Sequence, residues 1–215
     1  MSAARNMRMQ ITEKRFPPVA AAPAKLVFQR FDACFAHGEV CAILGPSGVG
    51  KSTLLNIAAG IDRGYQGEVT DSPHPVGYLF QSPRLLPWLT ACQNLDIVLH
   101  ERRALALHWL ERVGLAAAAD VYPDRLSLGM ARRVALARAL AVEPRLLLLD
   151  EPFTALDADT AGMMRELLER ELASRPVTTL LVTHDAGDAA HLAQRMIVLS
   201  GSPARVISDT AAVRA

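Results

Sequence analysis

Gly45-Pro46-Ser47-Gly48-Val49-Gly50-Lys51-Ser52-Thr53 matches the phosphate-loop pattern G-x-x-x-x-G-K-[ST] at every fixed position. An apolar, β-branched run, Val40 to Leu44, precedes it and reads as a buried strand. Leu54 to Ala59 follows and reads as a helix. Strand, glycine-rich turn and helix are the context in which this pattern carries chemistry. Glycines let the backbone wrap closely around a phosphate chain, with N–H groups pointing inward. The helix amino end adds partial positive charge. Lys51 is placed to reach the β- and γ-phosphates, and the Ser52 hydroxyl to ligate Mg²⁺.

The 215 residues suffice for one large or two small domains. With 51% apolar and 21% charged residues the chain supports a true core. A net charge of +1 excludes a strong field for nucleic acid. Cys34, Cys41 and Cys92 lack metal-site spacing and fit a reducing compartment. Met1 to Arg15 is polar and basic with no apolar segment behind it, so no signal peptide is expected. No run approaches the roughly 20 apolar residues of a membrane span, so membrane attachment would need another chain.

Outward from the loop, Met9 to Thr12 reads as the start of an edge strand, and Lys25 to Phe31 alternates as a strand. Pro17 to Pro23 is a Pro/Ala-rich connection between them. Glu68 to Thr70 and Val76 to Phe80 are further strands. From Ser82 to Glu143 the pattern turns helical, with helices expected over Leu95 to His100, Ala104 to Val113 and Leu128 to Val142. Ala116 to Ala119 reads as a small-residue helix or turn, and Ser127 as an N-cap. Strands return at Leu146 to Leu149 and Val177 to Thr183, with helices at Met163 to Ala173 and Asp188 to Arg195. Met196 to Ser200 and Arg205 to Ile207 close as a hairpin. Alternating strands and helices argue for an α/β fold with a mostly parallel sheet. The helical block argues for an inserted subdomain.

Asp150-Glu151 ends an apolar strand. Beside a phosphate loop, the strand-end Asp150 suits Mg²⁺ and the next acid suits polarising a water. Taken alone, the pair could equally be acidic caps on an ordinary strand end.

Together these motifs resemble the ATPase subunits of ATP-binding cassette (ABC) transporters. The resemblance runs from about Lys25 to His191 and holds six motifs in the family's order. Gly45 to Thr53 is the Walker A loop, and Gln81 after Tyr78-Leu79-Phe80 is the Q-loop glutamine. Leu126-Ser127-Leu128-Gly129-Met130 stands at the signature position. Leu146 to Glu151 is Walker B with its glutamate, Ala155-Leu156-Asp157 the D-loop, and His184 the switch histidine. A lone His184 or Gln81 would more often be structural; their place in the ordered set gives them weight.

The resemblance implies a head-to-tail pair of ATPase subunits sandwiching two ATP molecules. Each ATP would touch the Walker motifs of one copy and Ser127, Leu128, Gly129 and Met130 of the other. Glu151 would be the catalytic base, and His184 would position water and γ-phosphate. Gln81 would sense Mg²⁺, held with Ser52 and Asp150, and Asp157 would bridge the two sites. The expected organisation is a single domain over residues 1–215, with core about 9–81 and 144–215 and helical subdomain about 82–143. An antiparallel β portion is expected near the N-terminus.

Two departures stand out. Leu128 and Met130 replace the usual first Gly and the Gln of Leu-Ser-Gly-Gly-Gln, while Ser127 and Gly129 remain. Either the site is slower, or backbone donors and Ser127 suffice; the second is favoured. The adenine-stacking aromatic is assigned to Phe16, with Phe28 as its rival. From Phe16 to Gly45 the spacing is several residues long for the family, an excess the Pro/Ala connection absorbs.

Phe80-Gln81-Ser82-Pro83-Arg84-Leu85-Leu86-Pro87-Trp88-Leu89-Thr90 looks like the Q-loop region of importers for nitrate, sulfonates and taurine. Leu86 and Trp88 would line the groove for a permease coupling helix, or simply pack the subdomain. The expectation is a peripheral motor on the cytoplasmic membrane face, with permease subunits and a solute-binding protein, and no nucleic acid. A soluble ABC ATPase, or an exporter or lipid-transport motor, is the alternative. No C-terminal regulatory domain is expected after the closing hairpin.

Overall fold

The computed structural model describes residues 5–18, 23–154 and 156–212. In chain order its strands and helices begin with β1 (Met7–Phe16), β2 (Lys25–Phe35), β3 (Val40–Leu44), α1 (Lys51–Ala58), β4 (Gln66–Thr70) and β5 (Val76–Leu79). The helical block follows as α2 (Ala91–Leu99), α3 (Arg103–Arg112) and α4 (Leu128–Ala141). The chain continues with β6 (Leu146–Asp150), α5 (Ala158–Ser174), β7 (Thr178–Val182), α6 (Ala186–Leu192), β8 (Arg195–Ser200) and β9 (Arg205–Ala211). Two compact units emerge: residues 1–73 with 177–215, and residues 74–176. The second unit thus takes in β5, β6 and α5 besides the helical block.

In the first unit β3 lies between β7 and β8, parallel to both, with Ile43 opposite Val182 and Ile197. Its residues are apolar and buried on both faces, as a strand covered on two sides requires. β9 pairs antiparallel to β8 as the expected closing hairpin, extended to Ala211. Arg195 pins that pair, donating through Nε and Nη2 to Asp209 at 2.6 and 2.7 Å. α6 consequently ends at Leu192, three residues before the expected Arg195, which the sheet claims. It starts at Ala186 because the Asp185 carboxylate caps it, accepting from Gly187 N at 2.6 Å.

β1 corrects the expected edge strand. It runs Met7–Phe16 and sits centrally, antiparallel to both β2 and β4. Met7, Met9 and Ile11 point into the core while Arg8 stays out, the period of a half-buried strand. Lys14 breaks that rule: it is buried, with Nζ 2.7 Å from Asp62 and 3.0 Å from Gly64 O. Phe16 pairs with Lys25, the last pair of the β1–β2 ladder. Residues 19–22 of the Pro/Ala segment lie outside the described residues.

In the second unit β5 and β6 pair in parallel, Leu79 opposite Leu149. α2 starts four residues before the expected Leu95, because Thr90 and Gln93 form a reciprocal capping box. α5 likewise starts at Ala158, where the Asp157 carboxylate accepts from Thr160 N at 2.9 Å. Ala116–Ala118 is a single 3-10 turn. The apolar face of α4 is buried from Ala131 to Ala141, and Gly77 of β5 fits beneath it: a Cβ there would lie 2.2 Å from Ala139 O. No helix among the described residues is long and apolar enough to cross a membrane.

Candidate active site

The first unit carries the phosphate loop at the carboxyl end of β3, the usual ligand end of an α/β sheet. Gly45, at φ 151°, comes so close to β8 that a Cβ would stand 2.4 Å from Leu199 O. Gly50 (φ 118°) is the N-cap of α1 and offers no side-chain acceptor, so the first-turn N–H groups keep their capacity for an anion. A Cβ on Gly50 would meet Val27 Cγ1 at 2.6 Å and Phe28 Cζ at 3.0 Å. Lys51 is mostly buried and turns its ammonium onto the loop, donating to Gly45 O at 2.6 Å and Pro46 O at 3.2 Å. A swing of its last bonds would carry that charge to a phosphate in the loop's concavity. Ser52 and Thr53 occupy the first turn of α1.

Lys25, which sequence reasoning passed over, donates to Gly48 O at 3.0 Å. With Leu26, Val27, Pro46 to Val49 and the Gly201–Ser202 turn it lines a cavity of about 190 Å³. Phe16 is paired with this lysine, 41% exposed, with the Lys14 ammonium 4.4 Å from its ring centre. Phe28 is fully buried and packs against Phe31. Between the two candidates for a base platform, only Phe16 offers a free edge of ring. Thr183 N donates to Ile43 O at 3.4 Å, so the exposed His184 follows the strand end next to the start of the loop.

The second unit carries Gln81, the signature residues, Asp150, Glu151 and Asp157. Asp150 is only 4% exposed at the end of β6. Tyr78 on the neighbouring strand is raised above the usual phenol range by burial and by Asp150's charge. Glu151 holds φ 53°, the left-handed region that a residue with a Cβ occupies only when its surroundings enforce it. Its Oε2 accepts from Thr154 Oγ1 at 2.8 Å. Arg132, buried to 7% exposure, donates through Nη1 to Glu151 O (3.3 Å) and Thr154 O, and through Nη2 to Gln81 O (3.1 Å). Burial depresses its pKa, opposed by the charge of Glu151. Arg132 and Thr154 were invisible to motif matching, although Thr154 stands three residues after Glu151, within hydroxyl reach across a turn.

Ser127 is the N-cap of α4, its Oγ accepting from Met130 N at 3.2 Å. Ser127 and Leu128 are exposed and Gly129 is half-buried, so the amino end of α4 opens to solvent. A Cβ on Gly129 would lie 3.6 Å from Leu156. Asp157 is exposed and engaged as the α5 cap, with its carboxyl held below the usual range by Thr160. Ala155 of the D-loop lies outside the described residues.

Between Gln81 and α2, the buried Asn94 organises the chain. It accepts from Leu86 N at 2.8 Å and donates to Leu86 O, Leu89 O and Thr90 O. This turn leaves Leu86 half-buried and Trp88 69% exposed. Phe80 is stacked between Tyr78 (3.8 Å) and the Arg84 guanidinium (4.1 Å). Hard oxygen donors suited to Mg²⁺ are present in Ser52 and Asp150. Among the described residues no cluster of three His, Cys, Asp or Glu could enclose a metal.

The family model described as ABC transporter matches residues 28–154. The aliphatic sulfonates import ATP-binding protein SsuB 1 of Pseudomonas syringae pv. syringae is 44% identical over 84% of this chain and 77% of its own length. SsuB of Bacillus licheniformis is 41% identical over 84% of this chain and 75% of its own. The dimeric, ADP- and Pi-bound cassette MJ0796 superposes with a TM-score of 0.86 at 29% identity, covering 96% of this chain and 99% of that one.

Proposed function

Since the chain belongs to the ABC transporter family, whose model covers residues 28–154, we propose that it is the ATP-hydrolysing motor of an importer for aliphatic sulfonates or related small anions. Two copies pair head to tail, on the cytoplasmic face of the membrane, docked on permease subunits and served by a solute-binding protein. The importer names of the relatives and the dimeric MJ0796 support this.

The observation that carries the reading is the exposed amino end of α4, capped by Ser127. Its Leu128 and Gly129 N–H groups have no acceptor within the helix and suit an anion brought by a second copy. Lys51 and the loop amides hold the β- and γ-phosphates. Phe16 supports the adenine. Glu151 takes the proton of the attacking water as its oxygen bonds to the γ-phosphorus and the bond to the β-phosphate bridge breaks. His184 orients that water, and Gln81 ties its arrival to the helical block. Mg²⁺, held by Ser52, Asp150 and Gln81, would supply charge neutralisation across the phosphates. The exposed Trp88 offers an apolar anchor to a permease helix, on a turn made rigid by Asn94.

The test is to purify tagged Glu151→Gln protein from native membranes with MgATP. A stoichiometric polytopic membrane protein is expected beside it. Ribosomal or DNA-repair proteins in its place would overturn the transport reading.

A further inference from the structure

Arg132 sits one turn into α4, five residues after the Ser127 cap, and is 7% exposed. Its two terminal nitrogens reach three backbone carbonyls on two segments: Gln81 O, two residues beyond β5, and Glu151 O and Thr154 O in the turn that follows β6. Thr154 in turn orients the Glu151 carboxylate through its hydroxyl, and its N–H reaches Glu151 O at 3.4 Å. A fork of donors on a planar guanidinium can serve three such acceptors at once, whereas a lysine ammonium on a flexible stem cannot hold them in one geometry. The catalytic glutamate's unusual backbone, φ 53°, is therefore fastened directly to the helix whose amino end carries Ser127.

We propose that Arg132 is a positioning residue that couples the two composite sites. ATP seated against Ser127 of one subunit steadies α4, and Arg132 transmits that to Glu151 and Gln81 of the same subunit, which serve the other ATP. The inference rests on the head-to-tail reading above. It makes Arg132 dispensable for binding nucleotide to a single subunit and necessary for cooperative hydrolysis.

The experiment compares the full chain with Arg132→Lys, Thr154→Val and the double variant. Four quantities are measured: kcat, the Hill coefficient for ATP, the Kd of MgATP for the single subunit, and ATP-driven dimerisation in the Glu151→Gln background. Arg132→Lys is expected to lower kcat by about 10- to 100-fold, the scale of a small misplacement of a catalytic group. Its Hill coefficient falls to about 1, while Kd and dimerisation are retained. Thr154→Val lowers kcat with Kd unchanged, and the double variant loses no more than the worse single one, as members of one chain of contacts do.

A folded Arg132→Lys with wild-type kcat and Hill coefficient overturns the proposal. So does a variant whose losses are confined to Kd and thermal stability, which is what a purely structural clip would give. If Arg132→Lys does not fold, Thr154→Val alone decides: unchanged kcat overturns the proposal. Failure of Glu151→Gln itself to dimerise with ATP would instead count against the head-to-tail reading, and so is told apart.

Discussion

Ser127 has two jobs that a pair of substitutions can separate. It caps α4, accepting from Met130 N at 3.2 Å, and in the proposed dimer its hydroxyl faces the γ-phosphate held by the other copy. Ser127→Ala removes both. Loss of the cap costs about 1 kcal/mol, which in a chain of this size lowers Tm by about 2–4 °C. Ser127→Asp restores the cap, since a carboxylate accepts from the N3 amide as well as a hydroxyl does. Its charge also suits the positive end of the helix, so Tm returns to the wild-type value or above. Facing a phosphate is another matter. A carboxylate about 4 Å from a phosphate charge is repelled by about 4 kcal/mol at an effective dielectric of 20, close to a thousandfold in affinity for the composite site. Thermal denaturation and steady-state ATPase rates, measured on all three proteins, make the comparison. The expected result is an Asp variant as stable as wild type and nearly inactive. An Asp variant that hydrolyses ATP at the wild-type rate would refute the placement of Ser127 against phosphate.

Phe16→Ala is expected to raise KM for ATP with little change in Tm, while Phe28→Ala costs about 3–5 kcal/mol as a core truncation; titration with a fluorescent ATP analogue and thermal melts distinguish them. Gly45→Ala places a methyl where the backbone carbonyl of Leu199 stands, 2.4 Å away, and should cost about 1–3 kcal/mol in strain and abolish nucleotide binding, checked by denaturant titration and calorimetry. The Asp209 carboxyl is held below its usual range by hydrogen bonds from Arg195. Its folded pKa is depressed, so its contribution is present above the ordinary carboxylate pKa and lost as pH falls through the depressed value. The Tm gap between wild type and Asp209→Asn should therefore be widest near neutral pH and close at strongly acid pH.

The phosphate loop was legible because its glycines are demanded by space. Gly45 and Gly50 each stand where a Cβ would strike a neighbouring strand, and the same demand writes the motif. The buried strands β3, β6 and β7 were legible as short apolar runs. Helix starts were not, wherever a cap lay ahead of the apolar pattern: Thr90, Asp157 and Asp185 each begin a helix before its periodicity is felt. β1 was underestimated because Lys14 interrupts its alternation, and only the fold supplies the Asp62 and Gly64 partners that let a lysine be buried there. In the candidate site, Glu151 could be picked by its position after an apolar strand. Arg132 could not, because its value lies in three carbonyls distant in sequence, Gln81, Glu151 and Thr154, that only folding brings to one guanidinium.

The central claim, that two copies close around ATP, is tested most directly by light scattering on Glu151→Gln protein with and without MgATP, with bound nucleotide counted in the same peak. The account predicts that the mass doubles on adding MgATP, with two ATP retained per dimer. A protein that binds one ATP per chain and keeps its monomer mass would contradict it.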